Sequence, residues 1–444
     1  MTRRSFLVSA AGAAALANQR QPNVLFLFSD DQRADTIAAL GNRYIRTPNL
    51  DGLVRSGVSF TNCFVSNPIC TPSRATVQTG CNDFHTGVRW FGEKVRPGLP
   101  FWAQTMKDAG YQTFYSGKWH NEGSPKDFGF DIEDRVFPKG MGSHEMTLRD
   151  RNGREVSGYS SELFADAAVE YLASKPKAPF FAQISFTAPH DPRTPPEKYT
   201  RIYDPREIPL PKNFLPEHPF DNGELDIRDE KLLPRPRTEE AVRKELANYY
   251  AMITHLDEQI GRILNMLNEA GQSANTIVIF SADHGLAIGS HGLLGKMSMY
   301  DHSLRPPLII RAPGTGKPGT RTAALCYLHD LFPTAADLAG ASLPRDKDQP
   351  DGLSLKPLLD GSGRRLRDAV FSSYRDVQRM ARTDRWKLIW YPKIEKTQLF
   401  DMAGDPYELH DVYDRPEHAR LIGRLRGMLR NYQQISGDRP LIEA

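Results

Sequence analysis

The stretch Pro68-Ile69-Cys70-Thr71-Pro72-Ser73-Arg74-Ala75 joins a thiol, a helix start and an arginine at one point of the chain. Pro72 carries a backbone angle suited to a first helical turn, and no breaker follows until Gly80, so a helix should begin here with Cys70 at its N-terminus. Unpaired backbone N–H groups and the helix dipole favour negative charge at that end. Standing alone, a cysteine before a helix reads as a small buried thiol or as half of a disulfide. The Pro-Ser-Arg that follows turns the reading toward an anion-handling nucleophile.

Short apolar runs recur on both sides of this stretch: Val24 to Phe28, Thr113 to Tyr115, Phe180 to Phe186, Thr276 to Phe280 and Leu308 to Ile310. A polar or glycine-containing loop and a helical pattern follow each of them. The alternation predicts an α/β fold, a large, mostly parallel sheet flanked by helices, in which ligands bind beyond the carboxyl ends of the strands. The longest helix is predicted from Thr238 to Ala270, with Thr238 as N-cap and Gly271 as the stop. Its residues Val242, Leu246, Tyr249, Ile253, Leu256, Ile260 and Ile263 form one apolar stripe, which makes it a packing element and makes His255 and Asp257 structural. Between residues 192 and 236 ten prolines rule out regular structure; the segment reads either as an ordered excursion near the site mouth or as a linker. From Leu366 onward short strand-like runs precede a helical tail, the pattern of a smaller C-terminal α+β subdomain with an antiparallel sheet. The domain boundaries are thus 21–365 for the large α/β domain and 366–444 for the subdomain.

Reading only the residues after each run gives a short list of site candidates. Asp30 and Asp31 follow the first, and two adjacent carboxylates repel unless a cation lies between them. Asp283 and His284 follow the run ending at Phe280. Hard oxygen donors in this number favour Ca²⁺ or Mg²⁺, while the imidazole is less typical of Ca²⁺ and leaves room for a softer ion. Ser116-Gly117-Lys118-Trp119-His120 follows Tyr115, Thr187-Ala188-Pro189-His190-Asp191 follows Phe186, and Gly292-Leu293-Leu294-Gly295-Lys296 adds a third basic phrase.

Together these phrases resemble the type I sulfatases of the alkaline phosphatase-like superfamily. The resemblance runs from Pro22 to about Asp438 and includes the C-terminal phrases Leu399-Phe400-Asp401-Met402 and Asp405-Pro406-Tyr407-Glu408. It implies a sulfuric ester hydrolase in which a formylglycine-forming maturation enzyme oxidises Cys70 to an aldehyde, whose hydrate attacks the sulfur of a sulfate ester. It also implies one Ca²⁺ held by Asp30, Asp31, residue 70, Asp283 and His284. Arg74 would hold the nucleophile, with Asp283 as its base. Lys118, His190 and Lys296 would bind the sulfate, the last two assisting the leaving oxygen, and His120 would take the proton that frees sulfate from the enzyme. The sulfate chemistry itself demands fixed cations and a proton donor.

Candidates for the rest of the substrate are His85, Arg89, Trp90, Asn121, Glu122, Asp191, Arg193, His291 and His302, a mixture of aromatic and polar groups suited to a sugar ring. A sulfated carbohydrate is the expected partner, with choline or aryl sulfate as alternatives. Two other readings are a formylglycine-dependent phosphonate or phosphodiester hydrolase and a non-catalytic glycan-binding relative.

With 444 residues, 39% hydrophobic and 25% charged, disorder is excluded, and a net charge of +3 gives no bulk attraction to nucleic acid or to an anionic membrane. Arg3-Arg4 and the small-residue apolar stretch ending Ala15-Leu16-Ala17 read as a twin-arginine signal peptide over residues 1–17. Export by the twin-arginine machinery to the periplasm or outside is expected, with no membrane anchor in the mature chain. Four cysteines (Cys63, Cys70, Cys81 and Cys326) are too few for a disulfide scaffold, although Cys63 and Cys81 could pair.

Overall fold

The computed structural model describes residues 21–176, 179–344 and 349–443. The predicted signal peptide lies outside these residues. An eight-stranded sheet forms the body, in the order Thr320–Thr322, Val58–Phe60, Leu308–Arg311, Thr276–Ala282, Asn23–Ser29, Phe180–Ser185, Gln112–Lys118 and Ile132–Phe137. Only Leu308–Arg311 runs against its neighbours. The central strand Asn23–Ser29 is buried at every position because both faces of the sheet are covered, which is why it reads as an unbroken apolar run. Its side chains alternate between two layers: Val24, Phe26 and Phe28 join Trp102, Val77 and Phe332 on one side, while Leu25 and Leu27 join Phe164, Leu256 and Ile260 on the other.

The long helix spans Glu239–Glu269, and the Thr238 side chain caps it by accepting from the Ala241 amide at 3.2 Å. Asp257 on this helix accepts from the Asn49 and Leu50 amides at 3.0 and 2.8 Å, capping the helix Pro48–Ser56. His255 meets the Tyr159 ring edge-on at 4.7 Å. Among the described residues no helix is long and apolar enough to cross a membrane.

A four-stranded antiparallel sheet follows in sequence order, Val370–Tyr374, Gln378–Arg382, Trp386–Tyr391 and Lys396–Asp401. The helix Ala419–Ser436 covers it through Leu425 and Leu429. Buried charge joins this sheet to the body: Asp301 bonds Arg382 at 3.0 Å and Lys387 at 2.9 Å. Cys63 stands in register with Cys326 in a short parallel pair, so its cross-strand neighbour is that cysteine.

The strands bring their carboxyl ends to one edge. Asp30 and Asp31, Lys118 and His120, His190, and Asp283 and His284 all emerge there.

Candidate active site

The helix Cys70–Thr79 starts at Cys70 itself, with Ile69 as N-cap and Gly80 in the left-handed conformation at its end. Pro72 therefore sits within the first turn, where its missing N–H leaves no bond unmade. Cys70 is 1% exposed, and its sulfur lies 3.3 Å from Lys296 Nζ, 3.4 Å from His284 Nε2 and 3.6 Å from Asp30 Oδ1. Burial opposes ionisation of this thiol, but Lys118, Lys296 and His284 override it and hold its pKa well below the ordinary range. An anion at position 70 is what the surroundings are built to hold.

Arg74, one helical turn on, ties the strand ends together. Its Nε donates to Asp283 Oδ2 at 3.1 Å, its Nη1 to the Lys118 carbonyl at 3.1 Å, and its Nη2 lies 3.4 Å from Asp30. The guanidinium lies over the Phe28 ring at 5.1 Å. Asp283 also accepts from the Asp31 amide at 3.0 Å, while the Ser73 hydroxyl donates to the Asp283 carbonyl at 2.6 Å. Asp31 (φ 62°) and His120 (φ 51°) both hold left-handed backbone conformations without being glycine, strain of the kind that concentrates at functional sites.

The carboxylates of Asp30, Asp31 and Asp283 crowd one another, and burial together with Asp283 pushes Asp30 above its usual range. Lys118 bonds Asp30, and Lys296 bonds Asp31 at 3.0 Å. The ligand atoms of Asp30, Asp31, Cys70 and His190 fall within 4.8 Å of one another, as do those of Cys70, Asp283 and His284. Hard carboxylate oxygens around a buried focus fit a divalent cation of the Ca²⁺ or Mg²⁺ type. His190 Nε2 stands 3.1 Å from Lys296 Nζ. Burial would lower the His190 pKa, but the Asp31 carboxylate outweighs it and pushes the imidazole up to about 9. His190 and Lys296 thus stand together beside Cys70.

Above this focus opens a cavity of about 460 Å³ with Cys70, His120, His190 and Lys296 among its lining residues. Trp90 forms part of its wall, as the sequence suggested. Asp191 stands behind the wall, paired with Arg228 and 3.5 Å from His190 Nδ1.

The other substrate candidates take different positions. His85 turns to Asp351, 3.1 Å away, because Asn82 caps its short helix and aims it there. The Arg89 guanidinium lies over Phe84 at 5.6 Å, and Asn121 donates to the Trp119 carbonyl at 3.4 Å. His291 stacks on Tyr300 at 3.9 Å and bonds Asn213, while His302 bonds Ser298 at 3.1 Å. Glu122 accepts from the Val95 amide, and Arg193 pairs with Glu245.

Phe91, Gly140, Met141, Glu224, Ile227, Arg228, Asp229 and Met297 complete the cavity in their place. Phe91 and Met297 adjoin residues already singled out. Glu224 to Asp229 come from the proline-rich segment, which is thereby an ordered wall of the site. Phe91 stacks on His120 at 5.6 Å, and Gly140 lies close to the ring's Nε2 and Cε1: a Cβ on Gly140 would fall 2.5 Å from His120 Cε1 and closer still to Nε2.

Comparison with known proteins agrees with this geometry. The Sulfatase family model matches residues 22–341, and the model for the C-terminal region of N-sulphoglucosamine sulphohydrolase matches residues 289–435. An N-acetylglucosamine-6-O-sulfatase of Bacteroides thetaiotaomicron is 27% identical over 94% of this chain and 87% of its own length. A structure solved in complex with its substrate D-glucosamine-2-N,6-O-disulfate superposes with a TM-score of 0.82 at 26% identity, covering 96% of this chain and 100% of that one. The phosphonate monoester hydrolase of Silicibacter pomeroyi gives 0.78 at 26% identity, over 94% and 96%. A match through both the strand-end site and the C-terminal sheet places the protein in the sulfatase family, whose members hydrolyse sulfate esters.

Proposed function

We propose that this chain is a formylglycine-dependent sulfatase that removes sulfate from a sulfated carbohydrate. The observation that carries the reading is Cys70: buried at a helix N-terminus, 3.3 Å from Lys296 and 3.4 Å from His284, at the floor of a cavity of about 460 Å³. The family generally uses formylglycine and a metal. A maturation enzyme would supply the first by oxidising Cys70. The ion, which we take to be Ca²⁺, would be held by Asp30, Asp31, Asp283, His284 and the modified residue 70, and would polarise the sulfuryl oxygens as a Lewis acid.

The chain's own groups divide the remaining work. One hydroxyl of the hydrated residue 70 attacks sulfur, giving its proton to Asp283, and the bond from sulfur to the sugar oxygen breaks. Lys118, His190 and Lys296 hold the sulfuryl oxygens as their charge grows, and His190 hands a proton to the departing alkoxide with Lys296 beside it. His120 then takes the proton of the second hydroxyl, the bond from carbon to the sulfate oxygen breaks, and the aldehyde is restored. Trp90 and Phe91 offer faces on which a sugar ring stacks, and Glu224, Arg228 and Asp229 offer hydrogen bonds to its hydroxyls. The relatives named for glucosamine sulfates support a carbohydrate. The twin-arginine-type sequence over residues 1–17 supports export to the periplasm or beyond, with Cys70 oxidised before translocation.

His120→Ala should form the sulfated enzyme in one fast turnover and then stall, with kcat lowered about 10²–10⁴-fold. Gly140→Ala should show a milder form of the same defect, since its methyl group displaces the His120 ring. A burst of one alcohol per enzyme, with residue 70 heavier by one sulfuryl group, is the signature; steady turnover without a burst contradicts the assignment.

The function is tested by assaying sulfate release from a panel of sulfated monosaccharides beside an aryl sulfate, choline sulfate and an aryl phosphonate. The reading predicts the highest kcat/KM on a sulfated sugar. A phosphonate turned over faster than every sulfate would replace it with the phosphorus reading that the Silicibacter pomeroyi likeness raises.

A further inference from the structure

At the far end of the nucleophile helix stands a second cluster that the sulfate chemistry does not use. Cys81, His85 and Asp351 each point a ligand atom to one spot, all within 4.8 Å of one another. The helix of Cys70–Thr79 separates this spot from Cys70 by about 15 Å at 1.5 Å per residue. Cys81 and His85 lie four residues apart around one turn, and Asp351 arrives from 266 residues further along the chain than His85.

The Cys81 sulfur lies 3.6 Å from the Thr79 carbonyl and 3.9 Å from the Gln349 carbonyl, and the other two donors are fixed by Asn82. Asp351 Oδ2 accepts from the Asn82 amide at 2.9 Å and from Asn82 Nδ2 at 2.8 Å, and both carboxylate oxygens stand 3.1 Å from His85 Nδ1, Oδ1 being the one Asn82 does not engage. Asn82 Oδ1 in turn accepts from the Phe84 and His85 amides at 3.0 Å, fixing the turn that carries the imidazole. Cys81 is fully buried, whereas the His85 and Asp351 side chains are 21% and 34% exposed. Ligand atoms about 2.0–2.3 Å from a tetrahedral ion lie about 3.3–3.7 Å from each other. The 3.1 Å between nitrogen and oxygen is close to that spacing, so an ion enters with only a small separation of the two groups.

We propose that Cys81, His85 and Asp351 bind a zinc-type divalent ion through Sγ, Nδ1 and Oδ1, with water from the exposed side as the fourth ligand. The mixture of sulfur, nitrogen and oxygen selects Zn²⁺ over the Ca²⁺ or Mg²⁺ that suits the carboxylate site. Binding displaces the Cys81 thiol proton to solvent, so affinity rises with pH. The ion would fasten the 349–353 segment to the end of the nucleophile helix, where Gly80 already accepts from the Gly352 amide at 2.9 Å and Pro350 fills the space a Cβ on Gly80 would need.

The test uses the full chain carrying Cys70→Ala in excess Ca²⁺, so that the catalytic site adds no thiol. Titration with Co²⁺ should show one equivalent bound with a thiolate-to-cobalt absorption band, displaced by Zn²⁺. Cys81→Ala in that background should abolish the band, and His85→Ala should weaken Co²⁺ by more than the about 10-fold that even an outer-sphere partner contributes. Absence of the band, or its survival in Cys81→Ala, overturns the proposal. Should Cys81→Ala not fold, His85→Ala decides on the partly exposed ligand: unchanged Co²⁺ affinity there overturns it equally. None of these readings depends on sulfate hydrolysis, so failure of this site and failure of the sulfatase assignment are separable.

Discussion

Cys70→Ala should lower sulfate ester turnover on the order of 10⁴- to 10⁶-fold, the size of loss seen when a covalent nucleophile is removed. The substitution deletes one sulfur from a buried position while the helix keeps its Ile69 N-cap and Gly80 C-cap. Ser73 still bonds the Asp283 carbonyl, and Arg74 still joins Asp283 to Asp30. The melting temperature should therefore change little, and the variant should still bind substrate, since Lys118, His190 and Lys296 remain. Measured kcat, KM and Tm together check this: a large loss in kcat with KM and Tm near the parent is predicted. Turnover within tenfold of the parent would mean that residue 70 is not the nucleophile.

Asp283→Asn should be nearly as damaging, on the order of 10³-fold or more in kcat, because under the proposed mechanism the change strikes the nucleophile's base and the ion's ligand set together. Asp283 accepts from Arg74 Nε and from the Asp31 amide, and an amide at this position turns one acceptor into a donor aimed at another donor. Arg74 keeps Asp30 at 3.4 Å, so the buried guanidinium retains a partner and the fold survives with reduced stability. The check pairs two experiments. Chelation of the parent protein should abolish activity and added Ca²⁺ should restore it, whereas Ca²⁺ should fail to restore the variant. A chelated parent that keeps full activity would remove the metal from the account.

The gathering of these residues at one strand edge was legible because they are bound to the strands that carry them. A strand buried on both faces must be apolar throughout, so its end is visible as the first polar residue, and that residue lies at the carboxyl edge by construction. Asp30, Lys118, His190 and Asp283 all follow such runs. The substrate wall had no comparable signal. Glu224 to Asp229 lie in a proline-rich segment without periodicity, and Gly140 to Met141 in a loop whose closure on His120 depends on the absence of a side chain. His291 and His302 looked plausible because they are near Lys296 in sequence, yet the first stacks on Tyr300 and the second bonds Ser298. His85 follows the nucleophile helix as expected but answers to Asp351, a contact that sequence distance hides.

The central claim is that residue 70 acts as formylglycine. The direct measurement is the mass of the peptide spanning Cys70, from protein made in its own host and shown to release sulfate. The account predicts that the thiol mass is replaced by that of the aldehyde in proportion to activity. An intact thiol in fully active protein would contradict it.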